Sequence, residues 1–187
     1  LLSYWSERNG FNCLNCYARS TMAVLCLCVS GFEYSATPNH RIQGRGCPFC
    51  SGARVLPGFN DLSTTRPDLA SEWDTVGNEK SVYSVSRGSH YSARWRCSLG
   101  HGWSAPVKDR DKGYGCPFCS GRRTLRGFND LATLHPDIAD EWHPTKNDRG
   151  PGDVTAKSAY RAVWLCDAGH EWSRSVAGRT SPQGCPV

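Results

Sequence analysis

The chain is poor in the residues that build thick hydrophobic cores. It has one methionine, and leucine, isoleucine and valine are sparse for 187 residues. The longest uncharged apolar run, Met22 to Val29, is far too short to span a bilayer, and no stretch reads as a signal peptide. No large excess of one charge is present either, the formal net charge being +5 with thiols neutral. These shortages argue against one large sheet or bundle and against a membrane protein. They favour several small, loop-rich units. Units of that size bury too little apolar surface to be stable alone and usually need a metal or disulfides.

What is plentiful fits that picture: 19 glycines, 11 prolines, 7 tryptophans and 11 cysteines. Disulfides would require an oxidising compartment, yet the cysteine count is odd. The cysteines also fall as Cys-Pro-Phe-Cys beside a distant Cys-x-x-Gly-His. A histidine at a fixed offset has no role in a disulfide framework and a direct one in a zinc site. A reducing, cytoplasmic location is therefore expected. A site of three cysteines and one histidine contributes about −1 once its thiols ionise, so three loaded sites would leave roughly +2. Global charge is then weak evidence for nucleic acid, and local arginine clustering must carry that reading.

The chain repeats itself with a period of 69 residues. Cys28, Cys97 and Cys166 are one period apart, as are Cys47, Cys116 and Cys185, and Trp73 and Trp142. The second copy reads Arg94-Trp-Arg-Cys-Ser-Leu-Gly-His-Gly-Trp-Ser and Gly115-Cys-Pro-Phe-Cys; the third reads Val163-Trp-Leu-Cys-Asp-Ala-Gly-His-Glu-Trp-Ser and Gly184-Cys-Pro-Val. Between them lie Gly58-Phe-Asn-Asp-Leu and Gly127-Phe-Asn-Asp-Leu, then Pro67-Asp-Leu-Ala-Ser-Glu-Trp and Pro136-Asp-Ile-Ala-Asp-Glu-Trp. The division is 1–52 for a shortened and altered first copy, 53–121 for a complete second, and 122–187 for a third that ends before its last cysteine. The chain is expected to be a piece of a longer protein.

Pro67 and Pro136 at a first helical position, followed by acidic residues, predict short helices. Leu69, Ala70 and Trp73, and equally Ile138, Ala139 and Trp142, share a face. Tyr91–Cys97 and Trp103–Val107 read as two strands joined by the Cys-x-x-Gly-His turn, whose glycine relieves the backbone. The Cys-Pro-Phe-Cys pair is expected to lead into a short helix, with 74–88 and 143–153 as spacers. The expected fold class is small α+β zinc modules: tandem treble-clef or zinc-ribbon-like repeats, each a short β-hairpin plus short helices.

These motifs resemble the probable zinc-ribbon (treble-clef) repeat family of bacterial and viral proteins, with its Asn-Asp-Leu, Pro-x-Leu-Ala-x-Glu-Trp, Trp-x-Cys-x-x-Gly-His-x-Trp and Gly-Cys-Pro-x-Cys pattern. The resemblance runs over nearly the whole chain. It implies tandem zinc modules, in some members beside nuclease domains of the very-short-patch-repair type, and nucleic-acid binding.

The middle metal site is complete: Cys97, His101, Cys116 and Cys119, four soft or borderline ligands suited to structural zinc. The third offers Cys166, His170 and Cys185. The first offers Cys28, Cys47 and Cys50, with Phe32 at the histidine position and Cys26 at the tryptophan position. Either Cys26 supplies a fourth ligand or the site has decayed. The expected complement is one to three zinc ions per chain. Cys13 and Cys16 read as free or buried thiols, and His40, His90, His135 and His143 as surface residues.

Function must then come from the surface. Arg41, Arg110 and Arg179 recur in all three copies, and Arg54 and Arg123 in two, with Arg122 and Arg126 adding local charge. Guanidinium forks suit phosphate, so nucleic acid, DNA first, is the expected partner. The competing reading has the threefold arginine bracing its own module by pairing with Glu72 or Glu141. Trp103, Trp172 and Tyr34 are either stacking platforms for bases or covers for a small core. A protein-interaction or spacer scaffold attached to a nuclease or other effector domain is the alternative function. No membrane and no small-molecule substrate is expected, and no catalytic cluster stands out, so the chain is not expected to be an enzyme.

Overall fold

The computed structural model of the chain describes residues 5–10, 17, 19–181 and 184–187. Each copy of the repeat is built on one two-stranded hairpin. β1 (Val24–Leu27) pairs with β2 (Glu33–Ala36), β3 (Ser92–Arg96) with β4 (Gly102–Pro106), and β5 (Arg161–Leu165) with β6 (Glu171–Ser175). In the first and third hairpins the strands are antiparallel, with Cys26 opposite Tyr34 and Trp164 opposite Trp172. β3 shows why these segments are strands. Ala93 and Trp95 are buried while Ser92, Arg94 and Arg96 are exposed, the two-residue period of a half-buried strand.

Seven short helices are described: α1 (Pro38–Ile42), α2 (Leu62–Thr65), α3 (Pro67–Ala70), α4 (Val107–Asp111), α5 (Leu131–Leu134), α6 (Pro136–Asp140) and α7 (Val176–Arg179). α3 and α6 start on the expected prolines. α1, α4 and α7 follow each hairpin directly, so the second strand stops at Pro106 rather than Val107. The Cys-Pro-Phe-Cys segment does not open a helix. It closes as a turn, Ser120 N–H donating to Cys116 O and Arg123 N–H to Pro117 O, and the next helix waits for Leu131. α2 and α5 begin on Asp61 and Asp130, both buried. Each carboxylate accepts from a glycine N–H, a threonine N–H and that threonine's hydroxyl. Burial works against the charged form, but these donors outweigh it and hold both carboxyls below the usual aspartate value.

The chain divides into two compact units, Leu1–Arg96 with Ser104–Gly113, and Cys97–Trp103 with Tyr114–Val187. In the second, Leu131, Ile138, Val154, Ala162, Trp164 and Val176 form a core. The Trp164 indole N–H donates to Arg174 O, and its ring meets Trp142 edge to face at 5.1 Å. In the first unit Trp95 repeats this, donating to Ala105 O with Trp73 at 5.2 Å. A second core in that unit gathers Val24, Cys26, Tyr34 and Cys47.

Two sequence expectations change here. Segments 74–88 and 143–153 are not plain spacers. Asn78 accepts Arg94 N–H and donates to the carbonyls of Asp74 and Arg94. Asn147 does the same for Val163 and His143, and Asn9 for Leu25 and Ser6. Each asparagine thus extends its hairpin, its Oδ1 satisfying a strand N–H and its amide adding a second donor to a strand carbonyl that already accepts a backbone N–H. His143, expected at the surface, is buried. Its Nδ1 accepts the N–H groups of Thr145 and Lys146 and its Nε2 faces Glu171, the place held in the second copy by Asp74, which accepts from Val76 and Gly77. His40 and His90 are exposed, and His135 is half-buried at the end of α5. Among the described residues no helix is long and apolar enough to cross a membrane.

Candidate metal centres

The turn between β3 and β4 brings Cys97 and His101 together because Gly100 takes a φ of 81° and its N–H closes back on Cys97 O, a conformation open to glycine. Gly31 and Gly169 do the same in the other hairpins. The Cys116–Cys119 turn meets this knuckle. Cys97, His101, Cys116 and Cys119 place their donor atoms within 4.8 Å of one another. The Cys97 Sγ lies 3.5 Å from His101 Nδ1 and 3.8 Å from Cys119 Sγ. Nδ1 is 3.3 Å from Cys119 Sγ and 3.8 Å from Cys116 Sγ. A tetrahedron with Zn–S near 2.3 Å and Zn–N near 2.0 Å has edges of about 3.8 Å between sulfurs and about 3.5 Å between sulfur and nitrogen. The observed spacings are those of four ligands around one zinc, with no fifth donor among the described residues. Aromatic rings hold the imidazole in place: Phe128 lies 4.2 Å away and Phe118 5.8 Å. Asn129 fixes the second turn by donating to Phe118 O and Arg123 O.

Three thiols this close cannot all ionise without a cation. Burial, then the Cys116 and Cys97 sulfurs, push the Cys119 thiol up to about 12. The Cys97 thiol is lowered although burial opposes it, because the N–H groups of His101 and Leu99 bond its sulfur. A bound dication reverses the crowding, since ligating thiols are deprotonated.

Cys166, His170 and Cys185 converge in the same way, with Cys185 Sγ 3.6 Å from His170 Nδ1. In the first copy Cys28, Cys47 and Cys50 converge, with Cys28 and Cys50 sulfurs 3.6 Å apart. Phe32 occupies the histidine's place, its ring 4.3 Å from Phe59 and 6.2 Å from Phe49, as His101 sits against Phe128 and Phe118. Cys26 does not join the cluster. It is a core residue of β1 at the position of Trp95 and Trp164, so the described donors number three sulfurs, not four. Cys13 and Cys16 lie outside the described residues. The nine described cysteines are free of disulfides.

Knuckle, hairpin and Cys-Pro turn define a treble-clef class of zinc site, and each of the three clusters could hold a zinc ion. The probable treble clef zinc finger domain family matches the chain twice, over residues 69–122 and 138–187, just over half its length, and the chain belongs to that family. Both matches fall on the second and third copies. No curated protein matches the chain.

The arginines divide sharply. Arg110 and Arg179, expected as phosphate contacts, belong to the interior. Arg110 is 4% exposed, ion-paired with Glu72 and 5.1 Å over the Trp95 ring. Arg179 is paired with Glu141 through both nitrogens of its fork, Nε lying 2.7 Å from Oε2. Arg41 in the first copy is half-buried, bonded to Arg45 O and 5.9 Å over Tyr34. In the second and third copies the recurring arginine therefore braces its own module. The last turn of α4 or α7 aims it at the end of the preceding helix, which sequence spacing alone does not show. Arg54, Arg122, Arg123 and Arg126 are exposed. Arg126 pairs with Asp153, and Arg122 bonds Gly115 O and lies over Tyr114. Arg54 and Arg123 stand 5.5 and 5.4 Å over Phe49 and Phe118, the rings inside each Cys-Pro-Phe-Cys turn. Trp103 and Tyr34 are buried and Trp172 half-buried, so these aromatics cover the modules rather than present faces to bases.

Proposed function

We propose that the chain is a non-enzymatic, cytoplasmic zinc-repeat array that binds nucleic acid, DNA in the first instance, through its exposed arginines. Zinc in the middle copy is architecture: a closed four-ligand site gives rigidity to a small module and does no chemistry. The observation that carries the reading is the matched pair Arg54 and Arg123. One period apart, both are exposed, both lie over the phenylalanine of a metal-binding turn, and neither makes an ion pair among the described residues. An aromatic face restricts a guanidinium while leaving its donors for phosphate. Such contacts position a protein on a backbone without reading sequence.

The test is a titration with short duplex and single-stranded probes at several salt concentrations. Affinity should fall steeply with salt. Replacing both Arg54 and Arg123 by alanine should weaken binding alike for unrelated sequences, each flattening the salt slope by about one unit, with zinc content unchanged. Absence of binding by the parent chain at low salt would overturn the reading in favour of a protein-interaction or spacer scaffold carrying an effector domain.

A further inference from the structure

The first metal cluster differs from the other two in kind. Its three described donors are all sulfur, and Phe32 stands one period before His101, whose Nδ1 is the fourth donor in the second copy. The Phe32 ring is wedged between Phe59 and Phe49, as the imidazole is wedged between Phe128 and Phe118, so it is held in place. A water standing where the imidazole stands in the second copy would meet the Phe32 ring instead of a donor, and the Ser30 hydroxyl beside the cluster lies 3.7 Å from the Cys50 sulfur. Cys26, the one other described cysteine close in sequence, is fixed in the core of β1. Cys50, by contrast, is exposed, which gives an ion a way in.

Zinc favours four ligands, whereas thiolates as a class select soft ions such as copper(I). An ion lying in the plane of three sulfurs needs nothing from the fourth direction and keeps clear of the Phe32 ring. We propose that Cys28, Cys47 and Cys50 form a trigonal three-thiolate site that takes a soft, three-coordinate cation in preference to zinc, copper(I) being the probe. This goes beyond the nucleic-acid reading and stands without it. No electron transfer is involved: the ion enters as copper(I), and the thiols release their protons to solvent.

The full chain, purified with its zinc and kept anaerobic, is given one equivalent of copper(I) buffered by a competing chelator. Released zinc is followed with a chromophoric indicator, and the copper environment by X-ray absorption. Copper should be taken up without release of zinc and show three sulfur neighbours. Phe32→His should restore the pattern of the second copy. That variant should carry one more zinc than the parent, and its copper uptake should release zinc one for one. Cys50→Ser should lose the non-displacing copper, while Cys13→Ser with Cys16→Ser should leave it unchanged. Copper that displaces zinc from the parent chain one for one would overturn the proposal. So would loss of the non-displacing copper in the Cys13/Cys16 double variant, which would move the site to those residues. Phe32→His keeps the test decisive if Cys50→Ser fails to fold.

Discussion

The first and second copies fold the same hairpin around different interiors. Both close the turn on a left-handed glycine, both tie the hairpin to an asparagine (Asn9 or Asn78), and both seat an aromatic of the following segment (Phe59 or Phe128) against the metal-binding turn. Where the second copy has Trp95, His101 and Trp103, the first has Cys26, Phe32 and Tyr34. The frame therefore tolerates loss of the one nitrogen donor and of the tryptophan core, while the three clustered sulfurs are kept. Backbone hydrogen bonds and aromatic packing accommodate the exchange of an imidazole for a phenyl ring of similar size. What changes between the two clusters is one nitrogen donor, and the repeat keeps its shape while its donor set changes.

That comparison can be broken in several ways, the largest first. Cys116→Ser should remove the middle zinc and unfold its module, because the apparent ~10–16 kcal/mol of structural zinc binding is folding energy in so small a core. Zinc analysis and tryptophan fluorescence would show both losses, and Cys50→Ser should leave the second-copy zinc in place. Retained zinc in Cys116→Ser would mean the tetrahedron has been misassigned.

Next, Trp95→Ala should cost about 3–5 kcal/mol in denaturant unfolding, since it empties a fully buried indole site and loses the bond to Ala105. Cys26→Ala at the matching position should cost only ~1 kcal/mol, a small thiol having little volume to lose. Equal costs would mean that the two interiors do not differ as described.

Breaking the brace is expected to rank third. Arg110→Ala should sit near the low end of the ~3–5 kcal/mol seen when one partner of a buried pair is removed, because the Glu72 side chain remains 32% exposed. The same substitution at Arg54 should leave unfolding unchanged and alter only nucleic-acid binding. A stable Arg110→Ala chain with weakened DNA affinity would reverse the division between internal and external arginines.

The smallest effect concerns the shared helix caps. Asp130→Ala should cost about 1–2 kcal/mol at neutral pH, the range for losing an N-cap. The folded carboxyl lies below its unfolded value of about 3.9. Its contribution is therefore complete above that value and disappears as pH falls through the folded pKa. The variant should approach the parent's stability below about pH 4, and a gap that stays constant with pH would place the cost elsewhere.

The ligand pattern was readable in the linear sequence because Cys97 to His101 and Cys116 to Cys119 are local spacings repeated at one period. Two such spacings that recur together leave few geometries other than a shared ion. The helices on Pro67 and Pro136 were readable for the same reason, a start signal acting over one turn. Asn78 and Asn147 also recur at the period, yet their role was missed. Their partners Arg94 and Val163 lie 16 residues away, and nothing in a polar segment says that it folds back. His143 misled because it has no histidine counterpart. Its role as an acceptor is shared with Asp74, a residue of different type.

Sequence alone thus determined the repeat, the fold class, the clustered donors and the expectation of zinc, all consequences of short-range spacing and of the chemistry of thiolate and imidazole. Tertiary structure decided which arginines face inward and which rings stand beside the first two donor clusters. It also excluded Cys26 from the described donors. Burial and pairing are properties of where distant segments meet. Arg110 and Arg123 are the same residue in the same basic stretch, and only the packing of α4 against Glu72 and Trp95 makes one a brace and leaves the other at the surface.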